Sequence, residues 1–157
     1  WCSYCRKQAL QLEAMQRQLL DERYNINIVV INKENAASST YQNALLYILD
    51  EENQVQKDGN GNPIYRCTFP LFQDSEEINA WELHNGNKDD FYIYDQEGIL
   101  VSYLPSDSPF LNTNLSTESG YNYVKQTIMD AYLANQASNT DDNSQSETPW
   151  IQRADFV

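Results

Sequence analysis

The chain has 157 residues, 41% of them apolar, which suits one cored domain plus an extra segment. Its charge is lopsided: 10 Lys and Arg stand against 23 Asp and Glu, a net of −13. A surface that acidic repels phosphate backbones and anionic lipid, so nucleic acids and membrane surfaces are set aside as partners. No apolar run reaches the ~20 residues of a membrane helix.

The chain opens at Trp1 without an initiator Met or a signal-peptide pattern, which reads as a processed form or a fragment of something longer. Residues 3 to 24 are predicted to be helical. Cys5, Ala9, Leu12, Met15 and Leu19 fall on one stripe of a 3.6-residue period, and good helix formers fill the rest. Ile26 to Ile31 follows as a strand, apolar nearly throughout, as in strands covered on both faces. A helix running into such a strand predicts a layered α/β fold with a parallel pair.

A second helix is predicted over 36 to 50, burying Tyr41, Leu45, Leu46 and Leu49. Residues 51 to 66 read as a polar excursion, with Lys57 to Pro63 a loop because it holds Gly59, Gly61 and Pro63. Phe69 to Phe72 is a short strand with Pro70 at its start or edge. Ser75 to His84 reads as a helix capped at Ser75, with Ile78, Trp81 and Leu83 turned inward. Phe91–Tyr94 and Ile99–Tyr103 flank Asp95-Gln96-Glu97-Gly98, a hairpin expected to lie antiparallel on a central sheet. Residues 117 to 134 form the last helix, capped by Ser116 or Thr117, with Tyr121, Val124, Ile128, Ala131 and Tyr132 on one side. From Asn135 to Pro149 only Ala137 is apolar, so 135–157 is expected to be a disordered or linker tail behind a domain of residues 1–134.

The order is helix, strand, helix, strand, helix, hairpin, helix. With one strand supplied upstream of Trp1 this is a three-layer α/β/α arrangement of thioredoxin type, carrying an inserted strand and helix.

The chemistry is expected at Cys2 and Cys5, the ends of a Cys-x-x-Cys at a helix start. Disulfide exchange needs an attacking thiolate and a second thiol near enough to resolve the mixed disulfide. Unpaired first-turn amides and the helix dipole stabilise a thiolate at Cys2, and Arg6 and Lys7 add positive charge. Thiols so placed have pKa values of about 3.5–7.5 rather than about 8.5. Cys2 is therefore the expected nucleophile and Cys5 the resolving thiol. A zinc site needs two more ligands, and only Cys67 and His84 are available, with no paired spacing. No metal or cofactor is expected. The partner is a protein or small-molecule thiol, disulfide or peroxide. The competing reading is a non-catalytic binding module whose Cys2 and Cys5 form a structural disulfide. Cys67 reads as a buried free thiol, or as the partner of a cysteine outside the chain, and Asp50, Glu51 and Glu52 as a solvated face.

Leu83-His84-Asn85-Gly86-Asn87-Lys88-Asp89-Asp90-Phe91-Tyr92-Ile93-Tyr94-Asp95 resembles the signature region of the selenoprotein P amino-terminal domain family. Ile28 to Asn32 and Pro70-Leu71-Phe72-Gln73 are similar to strands of that family, so the resemblance spans about 1 to 134. It implies a thioredoxin-like fold, redox activity and an extracytoplasmic setting, periplasmic or secreted. In the animal proteins the first redox position is selenocysteine. Here it is Cys2, a slower nucleophile, with Cys5 in the second place. The chain departs from the family in its insertion at 51 to 66 and in lacking His-rich and selenocysteine-rich regions. Thioredoxins also carry a cis-proline just before the strand that begins here near Phe91. Lys88-Asp89-Asp90 stands in that place, and Lys88 is expected near the thiolate.

Overall fold

A computed structural model describes residues 3–36 and 39–141. Cys2 and the tail from 142 onward lie outside the described residues. The elements follow the predicted order: α1 (Ser3–Asp21), β1 (Val30–Asn32), α2 (Ser39–Leu46), β2 (Leu71–Gln73), α3 (Ala80–Leu83), β3 (Phe91–Tyr94), β4 (Leu100–Leu104) and α4 (Glu118–Asp141).

The core assembles on the apolar stripe of α1. Met15 and Leu19 are wholly enclosed, with Ala9 and Leu12 beside them. Leu45, Phe69, Leu104, Leu115 and Val124 close around that stripe, and the inner sides of β1 to β3 lean on it through Val30, Leu71, Phe91 and Ile93. Every element but α3 thus contributes a side chain to one apolar cluster, so α1 is held in place from several directions at once.

β1 and β2 pair in parallel, Ile31 opposite Phe72, as an α/β fold requires. β3 and β4 pair antiparallel, with Tyr92 opposite Tyr103. The connecting turn closes as the sequence indicates. The Asp95 carboxylate accepts the Glu97 and Ile99 amides at 3.0 and 2.8 Å, and Gly98 sits at φ +79°, where a side chain is strained. The two pairs form separate two-stranded sheets among the described residues, so the hairpin does not lie on one continuous central sheet with β1 and β2. The strand expected ahead of Trp1 is not among them.

Several boundaries differ from expectation for local reasons. α1 stops at Asp21, because Arg23 turns to φ +69° and Tyr24 folds back to donate to the Leu19 carbonyl. β1 buries only one face: Val29 is 52% and Ile31 37% exposed, so its unbroken apolar run is not a strand covered on both sides. α2 ends at Leu46, and residues 47 to 65 form a small antiparallel excursion rather than more helix and open loop, with bridges Tyr47–Tyr65, Leu49–Val55 and Lys57–Pro63. Its turns are tied by Asp50, which accepts the Glu52 and Gln54 amides, and by Asp58, which accepts those of Asn60 and Asn62.

The helix expected over 75 to 84 is a single turn. Asn79, not Ser75, stands at its N-cap and makes no side-chain cap bond; the Asp74 carboxylate, from outside the helix, accepts the Ala80 and Trp81 amides at 2.9 and 3.1 Å, which fixes the start at residue 80. Ile78 and Leu83 consequently face solvent, at 62% and 78% exposure, instead of packing inward. α4 is capped as expected, with the Gly120 amide donating to Thr117 Oγ1 at 3.1 Å. It then runs to Asp141, past the boundary drawn at 134, because Ala134 to Ala137 contains no helix breaker.

Candidate redox site

α1 begins at Ser3, the residue after Cys2, and no carboxylate occupies its first turn. The amides of that turn have no intrahelical acceptor and carry the positive end of the helix dipole. Negative charge close to this end is therefore favoured. Cys5 lies inside the first turn, half-buried and packed against the core cluster. Its sulfur is engaged in a disulfide and does not titrate as a thiol. Arg6 is half-buried beside it and Lys7 is exposed.

Cys67 is a different kind of sulfur. It is a free thiol, 1% exposed, whose nearest polar partner is the Leu45 carbonyl at 3.7 Å. Burial first, and then the charge of Glu13, push it up to about 12. A thiol held protonated in this way is inert in exchange at neutral pH. The expectation of a buried free thiol is met. Among the described residues no group of three or more His, Cys, Asp or Glu side chains could hold a metal ion.

The loop between α3 and β3 reaches the Cys-x-x-Cys turn. The Lys88 ammonium stands 5.9 Å from the centre of the Tyr4 ring, and Tyr4 lies between the two cysteines of the motif. Lys88 also meets the Asp89 carboxylate at 3.8 Å. Burial, and next the charge of Asp89, raise the Tyr4 hydroxyl above its ordinary range. No peptide bond among the described residues is cis, and Asp89 instead takes the left-handed conformation at φ +67°.

This loop is braced from both ends. Asp90 accepts the Asn87 and Ser106 amides, each at 2.8 Å, and the Tyr103 hydroxyl at 2.9 Å. Burial raises this carboxyl, but the Ser106 and Asn87 amides outweigh it and hold Asp90 below the usual carboxylate range. Ser106 Oγ donates to the Lys88 carbonyl at 2.7 Å. His84 clasps the other end. Its Nδ1 lies 2.7 Å from the Ala80 carbonyl and its Nε2 2.6 Å from the Tyr94 hydroxyl. With Nδ1 as donor, Nε2 accepts from Tyr94, which ties α3 to β3. The Tyr92 hydroxyl adds a bond to the His84 carbonyl at 3.0 Å. The run Leu83 to Asp95 therefore forms one hydrogen-bonded bracket that carries Lys88 and Asp89 to the motif.

Two polar residues on α1 that the apolar stripe does not reveal also fix this helix. Gln8, 4% exposed, donates to the Thr113 carbonyl at 3.1 Å and accepts the Leu115 amide at 2.8 Å. Glu13, 6% exposed, binds the Thr68 amide at 2.7 Å and the Arg17 guanidinium at 2.7 Å.

The class this defines is a thioredoxin-like α/β domain with a Cys-x-x-Cys at the start of its first described helix. The family profile "Selenoprotein P, N terminal region" matches residues 1–154. Selenoprotein P of Mus musculus is 32% identical over 136 residues, 86% of this chain and 30% of that protein. The Homo sapiens protein is 31% identical, again over 86% of this chain and 30% of its own length. The chain belongs to the selenoprotein P amino-terminal-region family. It spans less than a third of the length of these curated relatives. No solved structure matches it.

Proposed function

We propose that the domain is a thiol–disulfide oxidoreductase in which Cys2 attacks and Cys5 resolves. The observation that carries this reading is the disulfide-bonded Cys5 in the acid-free first turn of a helix that starts directly after Cys2. In the reductive direction the Cys2 thiolate attacks a substrate disulfide. A Cys2–substrate disulfide forms, and one substrate sulfur leaves as a thiolate. The Cys5 thiolate then attacks Cys2, closes the intramolecular disulfide and expels the second substrate thiolate. Two electrons pass from the cysteine pair to the substrate, and an external dithiol, or two external thiols, resets the pair and leaves as a disulfide. Run backwards, the same steps oxidise a dithiol. Substrates are protein or small-molecule thiols, disulfides or peroxides, and the setting is extracytoplasmic, in keeping with the Cys5 disulfide.

The competing reading is a binding module with a structural disulfide, and it is favoured by the charged Lys88-Asp89-Asp90 where thioredoxins carry a proline. The pH dependence of Cys2 alkylation in the reduced protein separates the two. An enzyme is expected to show a midpoint well below the ~8.5 of a free cysteine. A midpoint at or above that value supports the module.

A further inference from the structure

Two neighbouring side chains of opposite charge from the loop before β3 act on Tyr4: Lys88 stands over its ring, and the charge of Asp89 bears on its hydroxyl. Lys88 stands over Tyr4 with its side chain 60% exposed, whereas the Asp89 side chain beside it is only 11% exposed. The neighbouring Asp90 is saturated by two backbone amides and a tyrosine hydroxyl and serves as the anchor of the loop. Asp89 instead makes a loose 3.8 Å contact to Lys88, and its backbone is held at φ +67°. A non-glycine residue in that conformation costs energy and persists where the surrounding structure over-determines it. The bracket of hydrogen bonds from His84 to Ser106 does this here.

We propose that Lys88 and Asp89 are positioning residues that set the redox poise of the Cys2–Cys5 pair through opposed charges delivered to the Tyr4 side of the motif. This rests on the oxidoreductase reading above. Stabilising the thiolate stabilises the reduced pair and makes the disulfide more oxidising, while a nearby carboxylate does the reverse. The other charged groups near this end of α1 are Arg6 and Lys7 on the helix itself, Arg66, which feels Arg6, and Asp90, whose charge Asp89 feels. Burial pushes the Asp89 carboxyl up, Lys88 pulls it down and Asp90 pushes it up again, as expected of a carboxylate in a partly dry place.

The test equilibrates the full chain with a reduced and oxidised dithiothreitol couple and reads the reduced fraction by alkylation and intact mass. Charges at the separation of one loop and one helix turn change such an equilibrium about threefold. Lys88→Met should lower the equilibrium constant for reduction about threefold, Asp89→Asn should raise it by a similar factor, and Lys88→Arg should leave it unchanged. A merely structural role would move the thermal midpoint and not the equilibrium constant in opposite directions. Lys88 is exposed, so the Met and Arg variants decide the matter even if Asp89→Asn folds poorly. A wild-type disulfide that equilibrates, with variants that do not shift or shift together, overturns this inference alone. A wild-type disulfide that stays closed in the native protein overturns the oxidoreductase reading and this inference with it.

Discussion

Replacing Glu13 by Ala should destabilise the domain by about 3 kcal/mol, because the change strands several groups at once. The Glu13 carboxylate sits on the inner side of α1 and accepts the Thr68 amide at 2.7 Å, the Thr68 hydroxyl at 3.0 Å and the Arg17 guanidinium at 2.7 and 2.9 Å. Thr68 lies between Cys67 and Phe69, both of which belong to the core. Removing the carboxylate leaves the Thr68 amide without its acceptor and loosens the joint between α1 and the approach to β2. Glu13→Gln keeps one acceptor oxygen and should cost less, about 1–2 kcal/mol. The effect carries a pH signature. Burial raises this carboxyl, but the Thr68 amide, Arg17 and the Thr68 hydroxyl together outweigh it and hold Glu13 below its ordinary range. A carboxylate depressed in the folded state contributes stability that is fully present above its unfolded pKa, about 4.3, and is lost as pH falls through the lower folded value. Urea unfolding of the wild type and Glu13→Gln should therefore show a gap that is widest at neutral pH and narrows below about pH 4. A gap independent of pH would mean that the carboxylate charge has no part in it.

Glu13 also shows what the sequence could and could not reveal. The stripe Cys5, Ala9, Leu12, Met15, Leu19 was legible because apolar residues at helical spacing have one economical use, burial against a core. Gln8 and Glu13 lie inside the same contact, but a polar residue on a helix reads as solvent-facing unless its distant partner is known, and those partners are Thr113, Leu115 and Thr68. The hairpin at Asp95 to Gly98 was legible for the opposite reason, since its turn bonds are local. The helix over 75 to 84 failed because Asp74, one residue outside the supposed cap, takes up the amides of residues 80 and 81. With the helix reduced to residues 80–83, Ile78 and Leu83, expected to turn inward, lie in solvent.

Cys67 was legible as a buried free thiol because no second cysteine stands at motif spacing from it. The clasp of His84 on Tyr94 and the route by which Asp90 steers Lys88 to Tyr4 were not legible. The residues involved are scattered from position 4 to Ser106, and only the folded chain brings them together.

The central claim is that Cys2 attacks and Cys5 resolves, and its most direct test is covalent trapping. Single Ser variants at Cys2, Cys5 and Cys67 would be reduced, freed of reductant and exposed to an oxidised peptide disulfide, then measured by intact mass without reduction. Cys5→Ser should accumulate an adduct of one peptide thiol on Cys2, because no resolving sulfur remains to release it. Cys2→Ser should trap nothing, since Cys5 is half-buried within the first turn of α1. In the protein with its other cysteines intact, Cys67→Ser should behave as wild type, because Cys67 is 1% exposed and its thiol is pushed up to about 12. An adduct on Cys2→Ser, or trapping by Cys5→Ser that disappears when Cys67 is also replaced, would contradict the assignment, and silence from every variant would mark the disulfide as structural.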